Sequence, residues 1–309
     1  MLDLDRLRAL HAVATYGSVG AAASALNVTT SAVSQKLAKL ERETRARLVE
    51  RHGRGVRLTD AAMLLVEHTE EILARVERAE SDFESQRGEV FGRVTLDAFA
   101  TALRGLLPPV MATVSERYPR LTVHLREAEP PDSVRDVVRG NADIAVVQDW
   151  HSIPLEVPDG LERAALVDDI ADLAMAASHP LAGRRSVSLR SVLAGPWVSS
   201  PPGAVCHDLL VHTIRSYDAE PTIMHVASEY ETQLTLVAAG LGLAILPRLG
   251  RGALPDGVVT LPTRPVLARS VYAIWRSQVG RRPVIRAVFD VMREVAAGAG
   301  RGRSDRQRV

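Results

Sequence analysis

The sequence has one cysteine, Cys206, in 309 residues. That excludes an internal disulfide framework and any zinc site built on cysteines. Long apolar runs are also missing, since none approaches the roughly 20 residues that cross a bilayer. The N-terminus MLDLDRLRAL is amphipathic and mixed in charge, without the basic stub and apolar core of a secretory signal. A cytoplasmic protein without membrane contact is expected. Catalytic signatures are scarce too: there is no GxSxG elbow, phosphate loop, HExxH helix or GxGxxG fingerprint. The nine histidines do not cluster, and His207 and His212, five apart, are poorly spaced for one helical face. Twin carboxylates such as Asp168 and Asp169 read as turn or edge residues. No enzyme, resident metal or cofactor is expected.

Net charge is only +1, so the distribution matters more than the total. Residues 20–58 carry eight Lys and Arg against three Glu, a basic module on a slightly acidic remainder. The spacing of Leu4, Leu7, Leu10 and Ala14 predicts a helix over 3–16, ended by Gly17. Ser18 is placed to cap a short Ala-rich helix at 19–26. Asn27 falls at a turn that needs a left-handed backbone. Thr29 caps a second helix, with Ala32, Val33, Leu37 and Leu40 facing inward. Its other face carries Thr30, Ser31, Ser34, Gln35, Lys36 and Lys39, and a basic Gly-containing loop follows. This is the layout of a winged helix-turn-helix, which sets a recognition helix in the major groove of duplex DNA.

Residues 59–88 predict one long helix. Ala62, Leu65, Thr69, Ile72, Val76, Ala79 and Phe83 recur by threes and fours, the seam of a dimerising coiled coil. Gly88 and Gly92 mark a boundary, after which strands and helices alternate as in α/β folds. Strands are predicted at 94–99, 121–128, 142–147, 171–177, 196–200, 222–227, 241–247 and 270–276. Helices are predicted at 103–117, 132–140, 203–216, 230–239 and 283–297, with 255–265 read as a Pro-rich connection. Two α/β halves and a returning chain imply paired subdomains around a cleft. The Gly/Arg-rich tail 298–309 reads as disordered.

These parts resemble the LysR-type transcriptional regulators over residues 1 to about 297. LDRLRALHAVATYGS and AAASALNVTTSAVSQKLAKLE are similar to the family's first helix and helix-turn-helix, and RLVERHGRGVRLTDAA to its wing and the start of its linker helix. HPLAGRRSVSLRSVLAGPWV and LVAAGLGLAILP are similar to parts of its regulatory domain. The sequence departs from the family pattern at Thr30, commonly Gln, at Arg45, usually Gly, and at Val49, commonly Phe. The resemblance implies an α/β protein with an N-terminal all-α winged helix-turn-helix (1–58), a linker helix (59–88) and a periplasmic-binding-protein-like effector domain (89–297). The first subdomain of that domain would take about 90–163 plus 267–297, and the second about 164–266. It also implies a homodimer or homotetramer, binding to an imperfect inverted repeat under a small-molecule effector, and contact with the transcription machinery. A periplasmic solute receptor would share the lobes but not residues 1–88.

On that scheme Thr30, Ser31, Ser34 and Gln35 read base edges, while Ser18, Thr29, Lys36 and Lys39 hold phosphates. Arg51 and Arg54 of the wing reach the minor groove. Effector contacts are expected at strand ends and helix starts of the two lobes: Phe99, Ala100, Thr101, Glu129, Pro130, Gln148, Ser199, Ser200 and Glu229. Helix capping is the plainer role for Thr101 and Ser200. Cys206 has no second cysteine to resolve an oxidised thiol, as peroxide-sensing relatives do, and reads as a small buried hydrophobe.

Overall fold

The computed structural model describes residues 2–52, 55–87 and 90–306. The chain divides into two compact units, Met1–Arg87 and Gly88–Val309.

The first unit begins with α1 (Leu4–Tyr16), capped by the Asp3 carboxylate and closed by Gly17 in the left-handed region. Next come α2 (Val19–Ala25) and α3 (Thr30–Thr44). Asn27 between them has φ +54°, which its short polar side chain tolerates better than most. Leu7, Leu10, Ala22, Val33, Leu37 and Leu40 close one core. The wing is a two-stranded antiparallel hairpin of β1 (Val49–His52) and β2 (Gly55–Leu58). Its start is tied to α3, because Glu41 accepts from the Leu48 N–H at 2.9 Å. Thr59 then caps α4 (Asp60–Arg87) at the Ala62 N–H. The first half of the predicted seam on α4 is covered within the unit: Ala62 and Thr69 are buried, and Leu65 and Ile72 pack on the same core. Phe83, further along, is 70% exposed.

The second unit is built on two long strands, β6 (Leu161–Ala176) and β11 (Val258–Arg276), antiparallel along almost their whole length. The strands β3 (Gly92–Ala98), β4 (Leu121–Glu127) and β5 (Ile144–Trp150) lie on one side and β10 (Ala244–Pro247) on the other, in the order β10-β6-β11-β5-β3-β4. The short β7 (Val187–Ser188) also pairs with β11. A separate parallel pair joins β8 (Pro196–Ser199) to β9 (Thr222–Val226). The helices are α5 (Ala100–Gly105), α6 (Leu107–Arg117), α7 (Pro130–Arg139), α8 (Val205–Arg215), α9 (Tyr230–Ala238) and α10 (Pro283–Arg306).

Buried side chains gather at opposite ends of the long strands. One cluster joins Val94, Leu96, Ile144, Val271 and Ala273 to α6 and α10. Another joins Leu173, Met175 and Leu261 to Trp197, Leu209 and Ile214. The chain crosses between these halves along β6 and β11.

Several expectations are corrected. The helix expected at 103–117 is two helices that begin earlier and break at Leu106, because Pro108 and Pro109 suit the first turn of a new helix. The strand expected at 171–177 begins ten residues sooner. Its first half, LERAALVDDI, has too many charges to alternate cleanly and becomes a strand by pairing with β11. The Pro-rich connection 255–265 lies largely inside β11, where the pairing shifts between Pro262 and Leu267 to accommodate prolines that cannot donate to the ladder. α10 runs on through Arg306, over much of the tail read as disordered, and residues 307–309 lie outside the described residues.

Candidate functional site

The starts of α2 and α3 each carry a hydroxyl cap, Ser18 and Thr29. Ser18 accepts from the Ala21 N–H at 3.1 Å and Thr29 from the Ala32 N–H at 3.2 Å. Each hydroxyl therefore ends a helix and keeps its own proton to donate. Thr30, Ser31, Ser34, Gln35 and Lys39 are exposed on one side of α3, opposite buried Val33, Leu37 and Leu40. The Ser34 hydroxyl donates back to the Thr30 carbonyl at 2.9 Å. Lys36 is half-buried and lies 3.6 Å from the Asp5 carboxylate of α1. Arg54 and the side chain of Arg51 lie outside the described residues. α3 ends on Arg45 in the left-handed region, φ +51°, a conformation that costs a side-chain-bearing residue about 1–2 kcal/mol.

In the second unit Phe99, Thr101 and Gln148, three of the expected effector contacts, meet at a residue that the sequence reading missed. Arg269 stands near the middle of β11, opposite Asp169 of β6 and Trp150 of β5, and is fully buried. Its guanidinium donates to Asp169 at 2.7 and 3.0 Å and to the Thr101 hydroxyl at 3.0 Å. It also donates to the Gln148 side-chain carbonyl. The rings of Phe99 and Trp150 lie 5.3 Å from it. Asp169 is thus neither turn nor edge: it is a buried partner that also accepts from the Leu249 N–H at 3.0 Å. Asp168, its neighbour in β6, accepts from Ser270 at 3.1 Å. A signal for Arg269 did exist. It continues the inward positions Leu267, Val271 and Ala273, so a charge sits on the apolar face of a strand.

Thr101 therefore serves this network and is no cap; Phe99 holds the N-cap position of α5 without a side-chain bond. Ala100 is half-buried beside them. Ser200 is no cap either. It is buried and accepts from Gln233 at 3.2 Å, while Ala204 holds the N-cap position of α8. Ser199 lies 3.3 Å from His207 Nδ1, and that nitrogen is 3.0 Å from the Ser200 carbonyl. A carbonyl only accepts, so the ring proton sits on Nδ1.

Glu129 crosses between the halves. It follows β4 and its carboxylate accepts from the Val205 N–H, 3.4 Å away, at the start of α8. Burial among protein groups raises its pKa, against the pull of that N–H, and neighbouring Glu127, Asp132 and Asp208 add to the rise. Pro130 is buried in the first turn of α7. Glu229 is exposed at the N-cap position of α9 and does not cap it, apart from the network.

Cys206 is only half-buried and is more than a filler. Its sulfur accepts from the Tyr230 hydroxyl at 3.0 Å. Desolvation raises the thiol pKa, while the charge of Arg269 and the hydroxyl of Tyr230 oppose the rise. Burial also lifts Tyr230 well above the usual phenol range. These contacts gather a neutralised cation, hydroxyls, amides, carboxylates and a thiol of raised pKa from both ends of the long strands.

A helix-turn-helix with a hairpin wing, followed in the chain by an α/β domain that holds a buried polar network, is the layout of a ligand-responsive DNA-binding regulator. Residues 4–63 match the bacterial regulatory helix-turn-helix protein, lysR family, and residues 87–297 match the LysR substrate binding domain. The chain belongs to the LysR family and is a LysR-type transcriptional regulator with a helix-turn-helix DNA-binding domain and an effector-binding domain. It is 29% identical over 252 residues to the uncharacterized HTH-type transcriptional regulator YnfL of Escherichia coli, covering 80% of this chain and 82% of that one. It is 28% identical to the E. coli DNA-binding transcriptional dual regulator OxyR, over 89% and 90% of the two chains. Among solved structures, a full-length OxyR variant from Pseudomonas aeruginosa superposes with TM-score 0.67, at 22% identity over 95% of each chain. A Corynebacterium glutamicum OxyR variant with hydrogen peroxide bound superposes with TM-score 0.58, at 25% identity over 96% of each. No described helix is long and apolar enough to cross a membrane.

Proposed function

We propose that the protein binds an imperfect inverted repeat as a homodimer or higher homo-oligomer, and that a small molecule held around Thr101, Gln148 and Ser200 changes that binding. The observation that carries the reading is the meeting of Phe99, Thr101 and Gln148 at one buried cation, Arg269. Thr30, Ser31, Ser34 and Gln35 read bases; Ser18, Thr29, Lys36, Lys39 and the wing arginines Arg51 and Arg54 hold the backbone or the minor groove. Residues 1–58 dock, 59–88 pair the copies and 89–297 sense, with the cleft between lobes of about 90–163 plus 267–297 and 164–266. Contact with the transcription machinery and a cytoplasmic location belong to the same reading, and the chain performs no turnover.

The test is a band shift with operator and scrambled duplexes. Gln35→Ala is expected to lose about 1–3 kcal/mol of discrimination between them, the worth of a bidentate base contact. Equal discrimination by both proteins removes Gln35 from the readers.

A second reading concerns the kind of effector, and Cys206 favours it by its place beside Tyr230 and Arg269. Two relatives, from Pectobacterium carotovorum and Dickeya chrysanthemi, are each named a hydrogen peroxide-inducible genes activator. Here a hydroperoxide would oxidise the thiol to a sulfenic acid: the O–O bond breaks, one oxygen joins sulfur, and the other leaves as water or an alcohol. The raised thiol pKa makes that reaction slow at neutral pH and faster as pH rises. After peroxide treatment, mass spectrometry should find a dimedone adduct on Cys206, formed faster at pH 9 than at pH 7. An unmodified Cys206 at both would eliminate this reading and leave the reversible ligand.

A further inference from the structure

We propose that the end of α3 and the turn after it make a further contact with duplex DNA, in which Arg42, Arg45 and Arg47 hold the phosphate backbone beyond the bases that the start of the helix reads. This rests on α3 lying in the major groove, as proposed above. On a helix, positions i, i+4, i+7 and i+11 share one stripe. From Ser31 that stripe runs through Gln35 and Ala38 to Arg42, and all four are exposed, opposite buried Val33, Leu37 and Leu40. Its length is about 16 Å at ~1.5 Å per residue, against a major groove about 12 Å wide. A helix whose first turn stands on base edges therefore carries Arg42 to the rim of the groove, where the backbone lies. The C-terminal end of a homeodomain recognition helix meets the backbone in this way.

The charges of the first unit are sorted by partner. Arg6 is held by Asp3 and Glu43, Arg8 and Lys36 lie against Asp5, and Arg57 lies against Glu50. Lys39, Arg42, Arg45 and Arg47, the four cations that follow Lys36 in the chain, are exposed, and among the described residues none of them has an ion-pair partner. Two glutamates lie between them, and the fold occupies both: Glu41 accepts from the Leu48 N–H at 2.9 Å and Glu43 accepts from Arg6. Arg42 donates through Nε to the Ala38 carbonyl of its own helix at 3.3 Å, which leaves the two terminal nitrogens for an outside acceptor. The main chain of Arg47 is pinned, because its carbonyl accepts from the Thr59 hydroxyl at 2.7 Å.

Arg45 is the strained member. It holds φ +51° at the end of α3, where glycine stands without penalty, and no described residue accepts from its side chain. The plainer role, a positive charge offsetting the carbonyl end of the helix dipole, needs only one of the three. Three unpaired cations within six residues suit a polyanion whose counterions they replace.

The test is fluorescence anisotropy of the full-length protein on two labelled duplexes of unrelated sequence. Each phosphate contact contributes roughly 0.9 to the salt slope, so between about 50 and 200 mM salt Arg42→Gln, Arg45→Gly and Arg47→Gln should each reduce the loss of affinity by at least about threefold, equally on both duplexes. Arg42→Lys keeps the charge and should keep the parent slope. Arg45→Gly also relieves the left-handed strain, so it should melt at or above the parent temperature while binding DNA more weakly, which a misfolded variant cannot do. Arg215→Gln removes a cation already paired with Glu220 and should leave the slope unchanged. The contact is overturned if the three variants keep the parent slope, or if Arg215→Gln lowers it as much as they do. Arg45 drops out of it if Arg45→Gly melts lower with its slope intact. The docking reading fails separately. If Gln35→Ala keeps full discrimination while the arginine variants lose slope, Gln35 leaves the readers and the backbone contact stands; with the two results exchanged, the reader stands and the backbone contact falls.

Discussion

Arg269 makes the strongest claim at the scale of single residues. A guanidinium buried completely, stacked between Phe99 and Trp150 and paired with Asp169, is tolerable only because its donors are met. Replacing it with methionine keeps volume but takes from the buried Asp169 carboxylate the guanidinium that donates to it twice. Arg269→Met is expected to lower the stability of the effector domain by about 3–5 kcal/mol, the cost of breaking a buried pair from one side. Urea unfolding checks it, and a change under about 1 kcal/mol would mean the pair is solvated. Residue identity alone could not reveal this centre. Thr101 and Gln148 stood out as polar residues at a helix start and a strand end, but not as partners of a buried arginine. Asp169 and Arg269 lie a hundred positions apart, and only the register of β6 against β11 brings them face to face.

Among the elements, α8 and the β4–α7 turn meet through Glu129, and this contact depends on pH. A carboxyl whose pKa is raised by folding binds its proton more tightly in the folded state than in the unfolded chain. Its charge therefore works against the folded form at neutral pH, and the penalty disappears as pH falls through the raised value toward the ordinary 4.5. Glu129→Gln keeps an oxygen for the Val205 N–H and removes the charge. The variant should melt higher than the parent at pH 7.5, with the two curves converging near pH 4.5; a difference independent of pH would assign the effect to packing. The element boundaries were legible where a cap or a glycine marks them, as at Ser18, Thr29 and Gly17. They were illegible where partners decide, as in the first half of β6 and across Pro262 to Pro265 in β11.

For the molecule as a whole, the long helix α4 covers only the first part of its apolar seam within its own unit. Ala62, Leu65, Thr69 and Ile72 face the unit's own core, so the stretch with Val76, Ala79 and Phe83 is the part available to a second copy. Periodicity alone could not separate packing within the unit from pairing between copies, because both demand the same spacing. Phe83→Glu is expected to shift sedimentation toward the monomer mass. It should weaken binding to a duplex with two half-sites while leaving a single half-site unaffected. Parent-like mass at micromolar concentration would place the pairing surface elsewhere.

Gly250 and Gly105 have a mechanical consequence. A Cβ at Gly250 would stand 2.3 Å from the Thr101 carbonyl oxygen, and one at Gly105 would stand 2.4 Å from the Gly250 nitrogen. Two stretches of main chain thus lie against each other with no side chain between them to compress or slide. Neither position has room for a side chain, so the spacing of the two stretches is set by main chain alone. Any larger residue at either position must wedge the two stretches apart, so the fit of α5 against the loop after β10 admits no substitution without backbone movement.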